Sequence, residues 1–163
     1  MTEIENASVL LRSKKLKLVT AESCTGGMIS AAFTELSGSS DIFDRGFVTY
    51  SNEAKIAMLG VLPSTIETYG AVSEQTALEM VKGALKNSLA DVATSVTGIA
   101  GPTGGTPEKP VGLVYIGIAN KQETKVFKYI FIGNRSEVRT QTVEAALHHL
   151  AEFINPSPLV GEG

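Results

Sequence analysis

The sequence predicts a single α/β domain in which helices flank a mixed sheet in three layers, and three observations support this prediction. The chain has 163 residues, 43% of them hydrophobic and 19% charged, which is ordinary for one compact domain and too short for two full ones. Short β-prone runs alternate with segments of helical periodicity. Near the carboxyl end, the short segment Asn120-Lys121-Gln122-Glu123 separates two β-prone runs, which indicates an antiparallel hairpin. We assign residues 1–163 to one domain, with a core over about 4–155 and a loose tail over 156–163.

The first elements are a helix, a strand and a second helix. Apolar residues at helical spacing predict a helix over 3–14, which ends at two lysines, where positive charge suits the helix dipole. A β-prone run over 16–21 predicts the first strand, and a glycine-containing turn over 23–27 opens a helical segment over 28–36. This strand-to-helix junction brings unpaired amides and the positive end of a helix dipole together.

The middle of the chain predicts one strand and three helices. Residues 42–51 alternate apolar and polar side chains around Gly46, which predicts a strand with a bend or bulge. Asn52 is expected to cap a short helix after this strand. Pro63 at a first helical position predicts a short helix that ends near residue 70. A serine three residues before a threonine then predicts a capped, longer helix over 73–88.

The last third of the chain predicts the remaining strands and the longest helix. A strand over 91–96 leads into a glycine-rich loop over 97–107. The runs 111–119 and 125–132 form the predicted hairpin, so the sheet contains antiparallel as well as parallel strands. Apolar residues at helical spacing predict a final helix over 135–154.

Charge and cysteine content exclude several classes of function. Fourteen basic against 17 acidic residues give a net charge of −3, so no overall basic field exists to hold nucleic acid or an anionic membrane. The single cysteine, Cys24, excludes an intramolecular disulfide, and with His148 and His149 it gives no metal-ligand spacing. No apolar run approaches the roughly 18 residues that span a bilayer, and no signal peptide is apparent. We expect a soluble, unprocessed, cytoplasmic protein.

The segment 21–27 (AESCTGG) is the first that could carry chemistry. The hydroxyl of Ser23 could attack a carbonyl while the following backbone amides bind the oxyanion, and Gly26 and Gly27 would let the backbone approach a ligand closely. The alternative makes Ser23 a helix N-cap and the glycines a packing device. Cys24 is a rival nucleophile, because a thiolate beside a helix N-terminus has a lowered pKa. Its alternative role is that of a small buried hydrophobic residue.

Lys55 is the candidate base for a serine nucleophile. The two histidines are adjacent and lie inside the predicted last helix, so a lysine is the better base. Lys55 would need its pKa lowered by partial burial or by nearby cations. In the alternative it is exposed and paired with Glu53 or with solvent. Tyr50 could orient Lys55 or line a pocket, or it could belong to the sheet with its hydroxyl at the rim.

Two further segments could bind a ligand. The loop 97–106 lacks the ending of a P-loop and precedes no helix, so it does not fit the motifs that bind ATP or NAD. Its place after a strand still suits a small ligand. The alternative is a flexible connection. Arg135 and Arg139 are four residues apart on one helix face, where two guanidinium groups could clasp a phosphate. They could instead pair with Glu137 or Asp41.

Several long motifs in fixed order resemble those of one protein family. They are A-E-S-C-T-G-G (21–27), G-x-V-T-Y-S-N-x-x-K (46–55), Y-G-A-V-S-x-x-T-A (69–77), T-G-I-A-G-P-x-G-G (97–105), K-P-V-G (109–112) and G-x-R-x-x-V-R (133–139). In these motifs, and over residues 4–155, the chain is similar to the nicotinamide-nucleotide amidases, also called the CinA C-terminal domain family. The family also occurs as the C-terminal half of larger proteins with a pyrophosphatase-like domain and a historical link to competence and DNA damage, and that domain is absent from this sequence.

The resemblance implies hydrolysis of nicotinamide mononucleotide (NMN) to nicotinic acid mononucleotide and ammonia, without metal or cofactor. It implies Ser23 as nucleophile, Lys55 as base and Tyr50 as helper. Residues implied to contact the substrate are Thr25, Gly26, Gly27, Gly98, Ala100, Gly101, Arg135 and Arg139. The expected partner is a small nucleotide, not nucleic acid or membrane, and the resemblance favours a homodimer. A non-catalytic nucleotide-binding regulatory module and a partner protein in DNA uptake or repair are the alternative functions.

Overall fold

A mixed five-stranded sheet forms the centre of the computed structural model, which describes residues 1–157. The strands are β1 (Leu18–Glu22), β2 (Phe43–Val48), β3 (Val92–Gly98), β4 (Leu113–Ala119) and β5 (Thr124–Ile130). Their order across the sheet is β2-β1-β3-β4-β5. β1 pairs in parallel with both β2 and β3, whereas β4 is antiparallel to β3 and β5. The predicted mixed sheet and hairpin are confirmed.

Helices cover both faces of the sheet. They are α1 (Glu3–Ser13), α2 (Met28–Thr34), α3 (Asn52–Leu59), α4 (Pro63–Tyr69), α5 (Glu74–Lys86) and α6 (Arg135–Ile154). One hydrophobic cluster joins the sheet to α1, α2 and α6, and a second joins the opposite face to α3 and α5. The predicted three-layer α/β architecture is therefore confirmed.

The central strand β1 contributes to both hydrophobic clusters. Leu18 packs with the cluster under α1, α2 and α6, while Val19 and Ala21 pack with the cluster under α3 and α5. All five residues of β1 are buried, as expected for a parallel strand covered by helices on both faces. The end of β1 is consequently shielded from water, and polar groups there require partners inside the protein.

Some local predictions at strand β2 and helix α3 were wrong. Ser51, not Asn52, caps α3, because its hydroxyl accepts a hydrogen bond from the Ala54 amide. The β2 bulge lies at Asp44 instead of Gly46, since the register with β1 skips one residue there. Gly46 is paired regularly, and a Cβ at this position would lie 2.5 Å from the Ser30 hydroxyl.

Two further observations concern the C-terminal tail and the length and hydropathy of the helices. Of the predicted tail over 156–163, residues 158–163 lie outside the described residues. Within residues 1–157, no helix is both long enough and apolar enough to cross a membrane.

Helices α3 and α5 approach closely at Gly83. A Cβ added to Gly83 would lie 1.8 Å from the carbonyl oxygen of Leu59, well inside contact distance. Backbone atoms at such a distance cannot rotate away as a side chain can. The close approach positions α3, which carries Lys55, against the rest of the domain.

We therefore predict that Gly83→Ala lowers the free energy of unfolding by about 2 kcal/mol, because overpacking outweighs the better helix propensity of alanine. The measurement is a urea unfolding curve. Gly60→Ala is the matched control: Gly60 has a φ of 71° but nothing within 4 Å of an added Cβ, so we expect a smaller loss of about 1 kcal/mol. A Gly83→Ala protein as stable as the wild type would contradict the close approach.

Candidate active site

The candidate active site lies at the edge of the sheet where the parallel strands β1, β2 and β3 end. Carboxyl ends of parallel strands meet at one edge, and ligands of α/β proteins bind there. A cavity of about 240 Å³ opens at this edge. Its lining residues are Ser23, Cys24, Tyr50, Asn52, Lys55, Ala71, Val72, Thr97, Gly98, Ala100 and Arg135.

Lys55 is buried beside Ser23. Lysine side chains almost always reach solvent, yet Lys55 is only 1% exposed. Its Nζ lies 3.0 Å from the Oγ of Ser23, 2.9 Å from the carbonyl oxygen of Thr49 and 3.1 Å from that of Tyr50. Burial lowers the pKa of Lys55 from its ordinary value of 10.5. The alternative in which Lys55 is exposed and pairs with Glu53 is wrong.

The three contacts of the Lys55 amine fit both an ammonium that donates to Ser23 and a neutral amine that accepts from it. A neutral amine has two N–H bonds and one lone pair. The carbonyl oxygens of Thr49 and Tyr50 can accept both N–H bonds, which leaves the lone pair for the hydroxyl of Ser23. In this state Lys55 is oriented to accept the serine proton, as a general base beside a nucleophile must be.

Ser23 lies in a tight turn and not at a helix N-cap. The amide of Gly26 donates to the carbonyl of Ser23, which closes the turn. Helix α2 begins only at Met28, and its N-cap is Gly27. Gly26 and Gly27 have φ values of 57° and 108°, in the left-handed region that glycine adopts without strain. The capping role for Ser23 is therefore wrong, and its hydroxyl contacts Lys55 instead.

Glu22 is a buried carboxylate that holds this turn against helix α2. Its two oxygens accept four hydrogen bonds, from the hydroxyl of Thr25 at 2.7 Å, the amide of Ile29 at 2.8 Å, and the amide and hydroxyl of Ser30 at 3.0 and 2.8 Å. The amides belong to the first turn of α2, where the N-cap Gly27 has no side chain to offer. Glu22 thus caps α2 from the end of β1.

Cys24 does not have the environment of a reactive thiol. Its side chain is 6% exposed, and burial raises its pKa to about 11. A Cβ at Gly98 would lie 3.2 Å from the Cys24 sulfur, so the thiol packs closely against β3. The interpretation of Cys24 as a small buried residue therefore fits the structure, and its role as a rival nucleophile does not.

Arg135 and Arg139 leave the same face of α6 but hold different parts of the site. Arg135 donates to the carbonyl of Gly101 at 2.8 Å and to the hydroxyl of Tyr50 at 3.2 Å. Arg139 donates to the carbonyl of Cys24 at 2.9 Å and to that of Thr25 at 3.2 Å. The two guanidinium groups therefore do not form one clasp, and Arg135 alone lines the cavity.

The alternative pairings of these arginines were also wrong. Asp41 pairs with Arg12 at 3.1 Å. Glu137 instead accepts from the Asn134 amide and forms a capping box at the start of α6. Neither arginine forms an ion pair with these carboxylates in the described structure.

The glycine-rich loop after β3 is fixed at its two sides. Arg135 holds the carbonyl of Gly101, and the Lys109 ammonium donates to the carbonyl of Tyr69. Backbone hydrogen bonds between Ile99 and the first residues of the next strand region close its base. Hydrogen bonds therefore attach the loop to α6 and to the end of α4, which does not fit the alternative of a flexible connection.

The cavity brings together about half of the residues that the sequence suggested. The predicted residues that line it are Ser23, Tyr50, Lys55, Gly98, Ala100 and Arg135. The other predicted residues, which lie around it without lining it, are Thr25, Gly26, Gly27, Gly101 and Arg139. The sequence analysis gave Glu22 no role, and it gave Asn52, which lines the cavity, only a helix-capping role. The position of Glu22 next to Ser23 was the available signal, because a carboxylate at the end of a buried strand needs several donors.

A surface groove larger than the candidate cavity lies elsewhere. It has a volume of about 910 Å³ and contains Asp91 and Asn120, which lie at the opposite end of the sheet. Its lining includes neither Ser23 nor Lys55. Size alone therefore does not identify the candidate site, and we place it where a buried lysine contacts a serine.

Sequence comparison gives a consistent set of relatives. The family profile described as the CinA C-terminal domain matches residues 2–154. A CinA-like protein of Endomicrobium trichonymphae is 54% identical over 141 residues, 86% of this chain and 33% of the relative. A CinA-like protein of Kosmotoga olearia is 46% identical over 147 residues, 90% of this chain and 36% of the relative. The chain thus spans about a third of the length of these curated relatives.

Solved structures agree with this result over nearly the whole chain. The competence/damage inducible protein CihA from Agrobacterium tumefaciens is 47% identical, with a TM-score of 0.89, and the match covers 94% of this chain and 95% of that one. A CinA superfamily protein from Klebsiella pneumoniae is 33% identical, with a TM-score of 0.88 and coverages of 94% and 98%. The profile, the identities and the shared fold lead to one conclusion: the chain belongs to the CinA C-terminal domain family.

Proposed function

We propose that this protein is a nicotinamide-nucleotide amidohydrolase that converts NMN to nicotinic acid mononucleotide and ammonia. The observation that carries the proposal is the buried amine of Lys55, 3.0 Å from the hydroxyl of Ser23. Burial of a lysine lowers the stability of the folded state, and a neutral amine beside a serine is suited to proton transfer. The resemblance in the motifs is the basis for NMN as substrate, and the contact between Ser23 and Lys55 is the basis for the reaction type.

In the first half of the proposed reaction, Ser23 forms an acyl-enzyme. Lys55 accepts the hydroxyl proton while Oγ attacks the carboxamide carbon, and the carbonyl oxygen takes the negative charge. The backbone amides that follow Ser23 stabilise this oxyanion. When the tetrahedral intermediate collapses, the C–N bond breaks, and protonated Lys55 gives its proton to the nitrogen, which leaves as ammonia. The product is an ester between Ser23 and the pyridine carboxyl group.

In the second half, water releases the acid. Lys55 is neutral again after ammonia leaves, so it can accept a proton from the attacking water. Collapse of the second intermediate breaks the bond to Oγ, and Lys55 returns the proton to Ser23. Besides water, these steps use only the serine, the lysine and the oxyanion donors.

The surroundings of the cavity suit a nucleotide. We propose that the pyridine carboxamide enters the cavity of about 240 Å³ and that Arg135 at its rim binds the 5′-phosphate. A neighbouring hollow of about 510 Å³ shares Ala100 and Arg135 with this cavity and offers space for the ribose phosphate. Tyr50, 63% exposed and hydrogen-bonded to Arg135, would then order the rim.

Two alternative functions are distinguishable. A non-catalytic nucleotide-binding module would need the same cavity but would not need the buried contact between Ser23 and Lys55. A partner protein in competence or DNA damage has only the names of relatives in its favour, and the net charge of −3 opposes nucleic-acid binding. The amidase therefore accounts for more of the site than either alternative.

The setting of the enzyme is part of the proposal. We place it in the cytoplasm, where its one cysteine stays reduced, and we expect a homodimer, as the resemblance implies. Residues 1–163 then form one catalytic domain that needs no metal, no cofactor and no nucleic acid.

The first prediction from the proposed function concerns the serine–lysine pair. We expect Ser23→Ala to lower ammonia release from NMN by about 10³-fold or more, and Lys55→Met by about 10²-fold or more, because each removes one partner of the proton transfer. Ammonia is measured with chelator present throughout. The control Cys24→Ser should retain most activity. Turnover that survives in Ser23→Ala would contradict the proposed nucleophile, and wild-type binding without turnover would favour the regulatory module.

The second prediction concerns pH. Lys55 must be neutral to accept a proton, and burial lowers its pKa below 10.5. The rate should therefore rise with pH through the Lys55 pKa, so that the ascending limb of kcat/KM has its midpoint below 10.5. Initial rates across a pH series test this. A rate that falls as pH increases through the same range would require Lys55 to act in its charged form.

The third prediction concerns substrate binding. Arg135→Met should raise KM for NMN by about tenfold or more, because a charge-assisted contact with the phosphate is lost. Nicotinamide riboside, which lacks the phosphate, is the matched probe. Its kcat/KM should be similar in the wild type and in Arg135→Met. An equal loss with both substrates would contradict the phosphate contact.

A further inference from the structure

We propose that Asn52 is a specificity-determining residue that distinguishes the carboxamide of the substrate from the carboxylate of the product. Its side-chain amide pairs with the substrate carboxamide through two hydrogen bonds, one accepted by Oδ1 and one donated by Nδ2. This inference rests on the proposed function, because it explains how the same cavity favours an amide over the acid that hydrolysis produces.

Asn52 lies beside the serine–lysine pair. It lines the cavity of about 240 Å³ together with Ser23 and Lys55. Asn52 is the first residue of α3, and Lys55 follows three positions later, so both residues lie on the same side of the helix. Lys55 is buried, whereas Asn52 is exposed. The side of α3 that brings the buried amine to Ser23 therefore also carries an amide that a ligand can reach.

The side chain of Asn52 is free to bind a ligand. Ser51 caps α3, so Asn52 is not needed as the cap. Within residues 1–157, the structure gives the Asn52 side chain no hydrogen-bond partner. The lining side chains that already have hydrogen-bond partners are those of Ser23, Tyr50, Lys55, Thr97 and Arg135.

The charges around the cavity make an acceptor at this position important. Lys55 and Arg135 are the charged side chains of the lining, which lies within residues 1–157, and both are basic. A basic side chain binds a carboxylate more strongly than a neutral carboxamide. Without a further acceptor, the cavity would hold nicotinic acid mononucleotide more tightly than NMN, and the product would inhibit the enzyme.

A side-chain amide corrects this preference because it is complementary to another amide. The carboxamide of NMN has N–H bonds that Oδ1 of Asn52 can accept and an oxygen to which Nδ2 can donate. The carboxylate of the product has no N–H, so Oδ1 would face an oxygen and stay unpaired. A site that leaves its own polar group unpaired binds such an analogue more weakly. Asn52 thus favours binding of the amide and release of the acid.

The test compares the dissociation constants of NMN and nicotinic acid mononucleotide, measured by calorimetry on the full chain with Ser23→Ala, so that NMN is not consumed. The two ligands share ring, ribose and phosphate, so the ratio of the two constants isolates the contribution of the carboxamide. Asn52→Leu removes donor and acceptor, and Asn52→Asp keeps acceptors only. Glu53→Gln is the control, because Glu53 is the next residue of α3, exposed and outside the lining.

We expect Asn52→Leu to weaken NMN binding about tenfold and binding of the acid about threefold or less, because only NMN loses two hydrogen bonds. Asn52→Asp should change the ratio in the opposite direction. It should weaken the acid about tenfold or more through repulsion between two carboxylates, and NMN less, since one acceptor contact remains. Glu53→Gln should leave both constants unchanged.

Other outcomes separate the two proposals when ammonia release by the wild type is measured in parallel. If Asn52→Leu leaves the ratio unchanged, the role of Asn52 is overturned, while wild-type turnover of NMN still supports the amidase. If the ratio changes as expected but the wild type releases no ammonia, the hydrolysis is overturned and the role of Asn52 is supported. A protein that binds neither nucleotide would overturn both.

Discussion

The buried carboxylate of Glu22 is the interaction on which the site depends. Four donors from the turn after β1 and from the first turn of α2 converge on its two oxygens. Without them, a carboxylate at the end of a fully buried strand would be costly, so the strand, the turn and the helix must form together. Ser23 is the next residue along the chain, and its position follows from this arrangement.

The second constraint is the burial of Lys55. A lysine that is 1% exposed lowers the stability of the folded state, because its charged form is poorly solvated there. The close approach of α5 to α3 at Gly83 and the Ser51 cap keep α3 in a position that prevents the side chain from reaching water. The domain thus gives up some stability to keep an amine near a hydroxyl, which is common where a site needs a base near neutral pH.

Much of the fold was predictable from the sequence, whereas many hydrogen-bond partners of the polar side chains were not. Periodicity and turn residues indicated every strand and helix to within a few residues, because they report which side of each element is buried. Ser23 and Lys55 were suggested by residue chemistry and family motifs, and the structure places them in contact. The partners of Arg135 and Arg139 could not be foreseen, since both bind backbone carbonyls, and carbonyls carry no sequence signal. The cap of α3 was missed because Ser51 and Asn52 are both good capping residues.

Helix α6 joins the candidate site to a distant part of the domain. Both arginines leave its first turns, and at 1.5 Å per residue its 20 residues extend about 30 Å to an end where Lys14 binds the last helical carbonyl, that of Ile154. Because α6 is one continuous helix, the positions of both arginines depend on how its whole length packs against the domain. Substitutions where α1 packs on α6 would therefore be felt at the carbonyls of Gly101 and Cys24, which these arginines bind.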